Sequence, residues 1–301
     1  MGGDGASIPA MRAARSLVIY LAAVFVGGAL LAPWIYFGAG ELAPHSRVAA
    51  EPFHRFMDRT LLGVALAGLW PLLGANGMRS WRQLGLVGLG PRRGELAGGF
   101  FLGWGALLAA FVPAILCRAR LPMFDFHNAG GYVTSSVLTA MVVSVVEEVL
   151  FRGALFGLLR QSMDWRLAAL GSGVVYALAH FLRKAELAGA VTWFSGLQLL
   201  PPMARALVDA HTLFPAVLNL TVIGVALAIL YERTGALYAS MGLHASLIFW
   251  LRFFQFLTAP APAARGWLWG RTDPLSGWLA LPILAAMACL AARARWGKSN
   301  G

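Results

Sequence analysis

Residues 134–159 read TSSVLTAMVVSVVEEVLFRGALFGLL. Apart from Glu147, Glu148 and Arg152 the stretch is uncharged and largely apolar, and as a helix it is long enough to cross a hydrocarbon core, which takes about 20 residues. A charged side chain at mid-bilayer costs about 2.5–3.5 kcal/mol even on the lenient insertion scale. Three within six positions therefore need partners or a purpose. Helical geometry supplies one partner. Glu148 and Arg152 are four residues apart, on one face, with the acid N-terminal to the base. Glu147 points about 100° away and is not neutralised by that pair, so it is predicted to face a cavity.

The rest of the chain agrees with a membrane setting. Of 301 residues, 59% are hydrophobic and 12% charged, where a soluble chain carries about 25% charged residues; mean hydropathy is +0.69. Eight stretches are predicted to span: about Ser16–Gly38, Thr60–Met78, Leu96–Leu116, Thr134–Leu159, Arg166–Leu182, Leu213–Tyr231, Gly235–Leu257 and Leu275–Ala292. The expectation is an all-α membrane protein, a bundle of about eight transmembrane helices around a buried polar catalytic cavity. It forms a single membrane domain over residues 1–301, with its motif-bearing core at about 134–257. The first span is expected to be retained, because its apolar run exceeds the core of a signal peptide. Between spans, residues 79–93 read as a basic interfacial segment, 185–211 as a re-entrant or surface segment with Pro201-Pro202, and 258–272 as an interfacial loop bearing Trp267 and Trp269.

The net charge of +11 does not indicate nucleic acid. The basic residues fall in short clusters between apolar runs, such as Arg12/Arg15, Arg92/Arg93 and Arg293/Arg295, where arginines hold lipid headgroups and fix orientation. Cys117 and Cys289 have neither CxxC nor metal spacing, so no structural disulfide is expected. The Ala, Gly and Arg usage resembles a GC-rich bacterial genome, and the expected location is the bacterial inner membrane, multi-pass.

Two more polar groups lie at depth. VVYALAHFL places His180 one turn after Tyr176, and LYASMGLHASLIFW places His244 one turn after Ser240. A carboxylate held partly out of water becomes a competent base, and imidazoles can orient water, donate to an oxyanion or protonate a leaving amine. Each residue also has a purely structural reading: Glu148–Arg152 as an interhelical clamp, either histidine as a hydrogen-bond donor between helices, Tyr176 as packing. The combination favours chemistry.

These motifs resemble the CPBP family of intramembrane proteases, the CAAX prenyl protease type II or Abi type. Its EExxxR is Glu147-Glu148-Val149-Leu150-Phe151-Arg152, its FxxxH looks like Tyr176 to His180 with Tyr for Phe, and its HxxxN resembles His244 to Ile248. The resemblance covers roughly residues 60–257. It implies that Glu147 activates water with help from His180, that Glu148 and Arg152 brace the site, and that His244 stabilises the oxyanion. Ile248 stands where the family commonly has Asn and cannot donate a hydrogen bond; Asn219, or less directly Ser240, is a candidate replacement.

The implied activity is hydrolysis of a peptide bond in a membrane-associated peptide or protein by Glu/His-activated water, with no cofactor. Zinc on Glu147, His180 and His244 is the alternative, although there is no HExxH. A non-catalytic peptide-binding or immunity protein on the same fold is the competing reading, and Ile248 favours it. A proton-coupled carrier finds no internal repeat to support it.

Overall fold

The structure is a computed structural model and describes residues 7–123, 128–182, 185–187, 189–205 and 210–296; the two ends of the predicted 1–301 domain lie outside the described residues. Helices dominate. Helix α1 (Ser7–Ala22) runs through a π-helical turn (Ala23–Gly27) into α2 (Gly28–Leu42), followed by α3 (Phe53–Ala75) and α4 (Arg93–Leu116). A short strand β1 (Arg120–Pro122) precedes α5 (Ala129–Glu148), which passes through a π-helical run (Val149–Phe156) into the single turn α6 (Gly157–Leu159). Then come α7 (Trp165–Phe181), α8 (Ser195–Arg205), α9 (Ala210–Thr234), α10 (Tyr238–Leu257), strand β2 (Thr258–Pro260), the turn α11 (Gly266–Trp269) and α12 (Ala280–Arg293).

Each of the eight predicted stretches overlaps a helix. Among the described residues, four helical segments are long and apolar enough to cross a membrane: Arg12–Leu42, Phe53–Ala75, Gly90–Leu116 and Phe214–Thr234. None of the four contains the paired glutamates, Arg152, His180 or His244. The helices that carry those residues differ from the four in separate ways. α7 is 17 residues long, α10 interrupts its apolar sequence with His244, Arg252 and Gln255, and α5 changes helix type immediately after the glutamates.

The described chain divides into two compact units, Met1–Arg79 with Leu178–Ala210, and Ser80–Ala177 with His211–Gly301. In the first, α2 packs on α3 and α8. Leu61 lies where a side chain on Gly28 would sit, and Gly196 backs onto the Ala29 carbonyl. Ala29, Ala32, Phe56, Met57 and Leu199 form its core. Residues 185–211, expected to be re-entrant or superficial, contribute α8 to this core.

The second unit is organised around α10. Gly99 and Gly103 on α4 and Gly242 on α10 bring the two backbones together: a Cβ on Gly99 would run into the Ala239 carbonyl, and one on Gly242 into the Leu96 carbonyl. Small residues at four-residue spacing are how membrane helices approach closely. α5 has two faces. Ser136, Ala140, Ser144 and Glu148 are buried, whereas Val137, Leu138, Met141, Val142 and Val145 are exposed, as befits a helix with one side toward lipid and one toward protein. Tyr132 stacks on Phe256, its hydroxyl donates to the Arg252 carbonyl at 3.0 Å, and Arg252 Nε donates to Ser136 at 3.1 Å, so α5 and α10 are pinned at one end.

Strands β1 and β2 pair antiparallel, with Leu121 opposite Ala259. Arg120 is buried beneath them and donates to Thr258 Oγ1 and to the Thr258 carbonyl, both at 2.8 Å; its guanidinium lies over Phe111. Burial lowers the pKa of Arg120, opposed by the nearby Asp273. Burial likewise pushes the Asp273 carboxyl up to about 6, against the pull of the Leu275 N–H and of Arg120.

Candidate functional site

The site starts at the end of α5. Glu148 is the fourth member of the buried Ser136–Ala140–Ser144 stripe, so the packing that buries α5 also carries its carboxylate inward. Its side chain is 0% exposed and Arg152 is 1% exposed. Arg152 Nη1 donates to Glu148 Oε1 at 2.9 Å, as their spacing predicts, even though the helix has become π-helical between them. Such wide turns in otherwise regular helices are frequent at functional sites. Arg152 is held further by the Gly224 carbonyl at 3.4 Å and by the Tyr176 ring, 4.4 Å from the guanidinium carbon. The Gly224 backbone comes within reach because α9 meets α7 glycine on glycine; a Cβ on Gly224 would lie 2.6 Å from the Gly173 Cα.

His244 enters from α10. Its Nδ1 is 2.9 Å from Glu148 Oε1, so that one carboxylate oxygen serves both the guanidinium and the imidazole. With Nδ1–H donating to Glu148, the ring is fixed in orientation and Nε2 is turned toward Glu147 and Tyr176. Nε2 lies 3.7 Å from Glu147 Oε2 and 3.4 Å from the Tyr176 hydroxyl. The first distance exceeds direct hydrogen bonding and leaves room for a shared polar atom. Glu147 keeps 20% of its side chain exposed, which matches its predicted turn away from the ion pair. The arrangement is thus a buried anchor, Arg152–Glu148, an oriented imidazole, and one accessible carboxylate beside it.

The remaining predicted residues are placed as follows. His180 sits one turn after Tyr176 on α7 and is half-buried; it falls in Leu178–Ala210, the second segment of the other compact unit. Asn219 is buried, and its Nδ2 donates to the carbonyls of Leu275 at 2.7 Å and Gly277 at 2.9 Å. Both amide hydrogens are committed to the loop before α12, so a donor role toward substrate requires breaking one of them. Ser240 spends its hydroxyl on the Leu237 carbonyl at 2.9 Å. Among the described residues no group of three His, Cys, Asp or Glu is placed to hold a metal ion.

Two features escape sequence reasoning. Glu148 is the partner of His244 as well as of Arg152, across 96 positions that no local spacing signals. The glycine seam that sets α10 against α4 was visible in principle as Gly99-x-x-x-Gly103, although its partner Gly242 was not.

The family model described as Rce1-like, type II CAAX prenyl endopeptidase Rce1-like, matches residues 129–250, the segment from the start of α5 to the middle of α10 that contains every residue of this site. No curated protein matches the chain, and no solved structure does.

Proposed function

We propose that this chain, which belongs through residues 129–250 to the CAAX-protease family, hydrolyses a peptide bond in a membrane-associated substrate by a glutamate-type mechanism. Glu147, the accessible carboxylate, takes a proton from water as the oxygen attacks the scissile carbonyl. His180 is assigned to orient that water by its motif spacing. The negative charge that develops on the carbonyl oxygen meets the Tyr176 hydroxyl beside the His244 ring, which Glu148 holds in place. The proton gained by Glu147 passes to the departing amine as the C–N bond breaks. What carries this reading is the single chain of contacts Arg152–Glu148–His244, which orients an imidazole beside a carboxylate that remains reachable.

Tyr176 bears on the Ile248 problem. The family's Phe cannot donate a hydrogen bond and its Asn can; here the ring position gains a hydroxyl and the Asn position loses its amide. The two departures compensate if the Tyr176 hydroxyl supplies the missing donor, and its 3.4 Å approach to His244 Nε2 supports that. We further propose that the helices too short or too polar to be counted as spans cross the bilayer as well, making about eight, in a bacterial inner membrane.

The test is cleavage of membrane-anchored peptides by purified wild type and Glu147→Gln, with and without chelator. Cleavage that survives chelator and is lost in the variant supports the mechanism. Loss to chelator with recovery on adding zinc refutes its metal independence. Peptide binding without cleavage by either form would favour a non-catalytic peptide-binding protein, the reading suggested by Ile248.

A further inference from the structure

A second polar feature lies in the second unit and takes no part in the chemistry above. Where α4 begins and α12 ends there is a cleft of about 750 Å³, lined by Glu95, Gly98, Leu102, Leu290, Arg293 and Arg295 with Trp296. That is the size of a small-molecule site. The 27-residue segment Gly90–Leu116, long and apolar enough to cross a membrane, starts here, and the shorter apolar α12 finishes here, so the cleft stands where a span of that length would meet the lipid headgroups. Its walls change character accordingly, with two exposed arginines at the mouth and leucines along the helices.

The floor carries an unmet demand. Glu95 is 5% exposed, and its Oε1 accepts from Arg92 Nη1 at 2.7 Å. Its Oε2 is buried without a hydrogen-bond partner among the described residues. A buried carboxylate oxygen calls for a donor. Trp296 is fixed beside it: its Nε1–H donates to the Ala291 carbonyl at 2.9 Å, and its ring lies against Gly98, where a Cβ would come within 2.9 Å. No side chain caps the N-terminus of α4, whose first turn favours an anion.

We propose that this cleft binds the headgroup of an amine-bearing phospholipid. The phosphodiester lies between Arg293 and Arg295 near the first turn of α4. The primary ammonium donates toward Glu95 and lies against the Trp296 ring, and the acyl chains follow Leu102 and Leu290. The basic mouth alone suits any phospholipid; the carboxylate at the floor selects the one with a cationic, hydrogen-bond-donating headgroup. The assignment is independent of the proteolytic reading and is tested without it.

The experiment is native mass spectrometry of the purified full chain in detergent with an equimolar mixture of phosphatidylethanolamine, phosphatidylglycerol and phosphatidylcholine. Wild type is expected to retain phosphatidylethanolamine in preference to the other two. Arg293→Ala with Arg295→Ala is expected to weaken all retention by roughly thirtyfold, about fivefold for each surface arginine. Glu95→Gln is expected to abolish the preference for phosphatidylethanolamine over phosphatidylglycerol while retaining lipid. Because Glu95 is joined to Arg92, that variant can fail to fold; the exposed arginine pair then decides. Equal retention of the three lipids by wild type, or equal retention by wild type and the double arginine variant, overturns the proposal. So does displacement of the lipid by an equal concentration of free O-phosphoethanolamine, which would assign the site to a soluble phosphate ester.

Discussion

Replacing Glu148 with glutamine keeps the shape of the side chain and removes its charge. Arg152, 1% exposed and bonded to Glu148 at 2.9 Å, then has no carboxylate; the Gly224 carbonyl at 3.4 Å is a poor substitute. Breaking a buried ion pair from one side costs about 3–5 kcal/mol, which corresponds to a fall in melting temperature of roughly 6–20 °C. The neighbouring change, Glu147→Gln, acts on a side chain that is 20% exposed and 3.7 Å from His244 Nε2, and its stability cost should stay within about 1 kcal/mol. Activity should divide differently. Glu147→Gln removes the general base and should lower turnover by about 10²–10⁴-fold in a protein that melts like wild type. Glu148→Gln should lose activity together with stability, and Glu148→Gln combined with Arg152→Leu should recover stability relative to Glu148→Gln alone. Tryptophan-fluorescence melting in detergent beside a peptide-cleavage assay reads both quantities. Equal melting temperatures for the two single glutamine variants would refute the division of labour between the adjacent carboxylates.

Three further outcomes are expected. Tyr176→Phe should reduce turnover by about a hundredfold, the cost of one oxyanion donor, with KM little changed, and adding Ile248→Asn should restore it; no loss in the single variant dismisses the compensating hydroxyl. Asp273 has a folded-state pKa of about 6 against an ordinary 3.8, so the native state binds the proton more tightly than the unfolded chain. Its burial therefore destabilises above pH 6, and the penalty fades as pH falls from about 6 to 4. Asp273→Asn, which can still accept from the Leu275 N–H, should melt higher than wild type at pH 7–8 and match it near pH 4; a pH-independent difference contradicts this. Gly242→Val should cost about 1–3 kcal/mol through overpacking and abolish cleavage, since the Leu96 carbonyl occupies the space its Cβ needs; normal activity in that variant would show that α10 can shift without consequence.

Part of this site is legible in the sequence. The four-residue spacing of Glu148 and Arg152 specifies their pairing, and the same geometry turns Glu147 elsewhere, because helical periodicity is local and reliable. The burial of α5 along Ser136, Ala140 and Ser144 follows from the same rule. What could not be read is what depends on distant segments meeting. The hydrogen bond from His244 to Glu148 joins α10 to α5. Asn219 looks like a spare donor in the sequence, yet its amide is taken by two carbonyls between α11 and α12. The spans are harder still: the sequence predicts eight apolar stretches, and among the described residues four helices reach spanning length and hydropathy. On α10 the motif residue His244, with Arg252 and Gln255, interrupts the apolar run, and α7 is 17 residues long.

The seam between α4 and α10 has a consequence for how this chain can change over time. At Gly99 and Gly242 even alanine adds an atom where a neighbouring carbonyl already lies, so drift has no intermediate step to take there. The outward row Val137, Leu138, Met141, Val142 and Val145 can exchange one oily residue for another freely. The imidazole of His244 inherits its position from that immobility: the most reactive side chain on α10 is placed by residues that have no side chain at all.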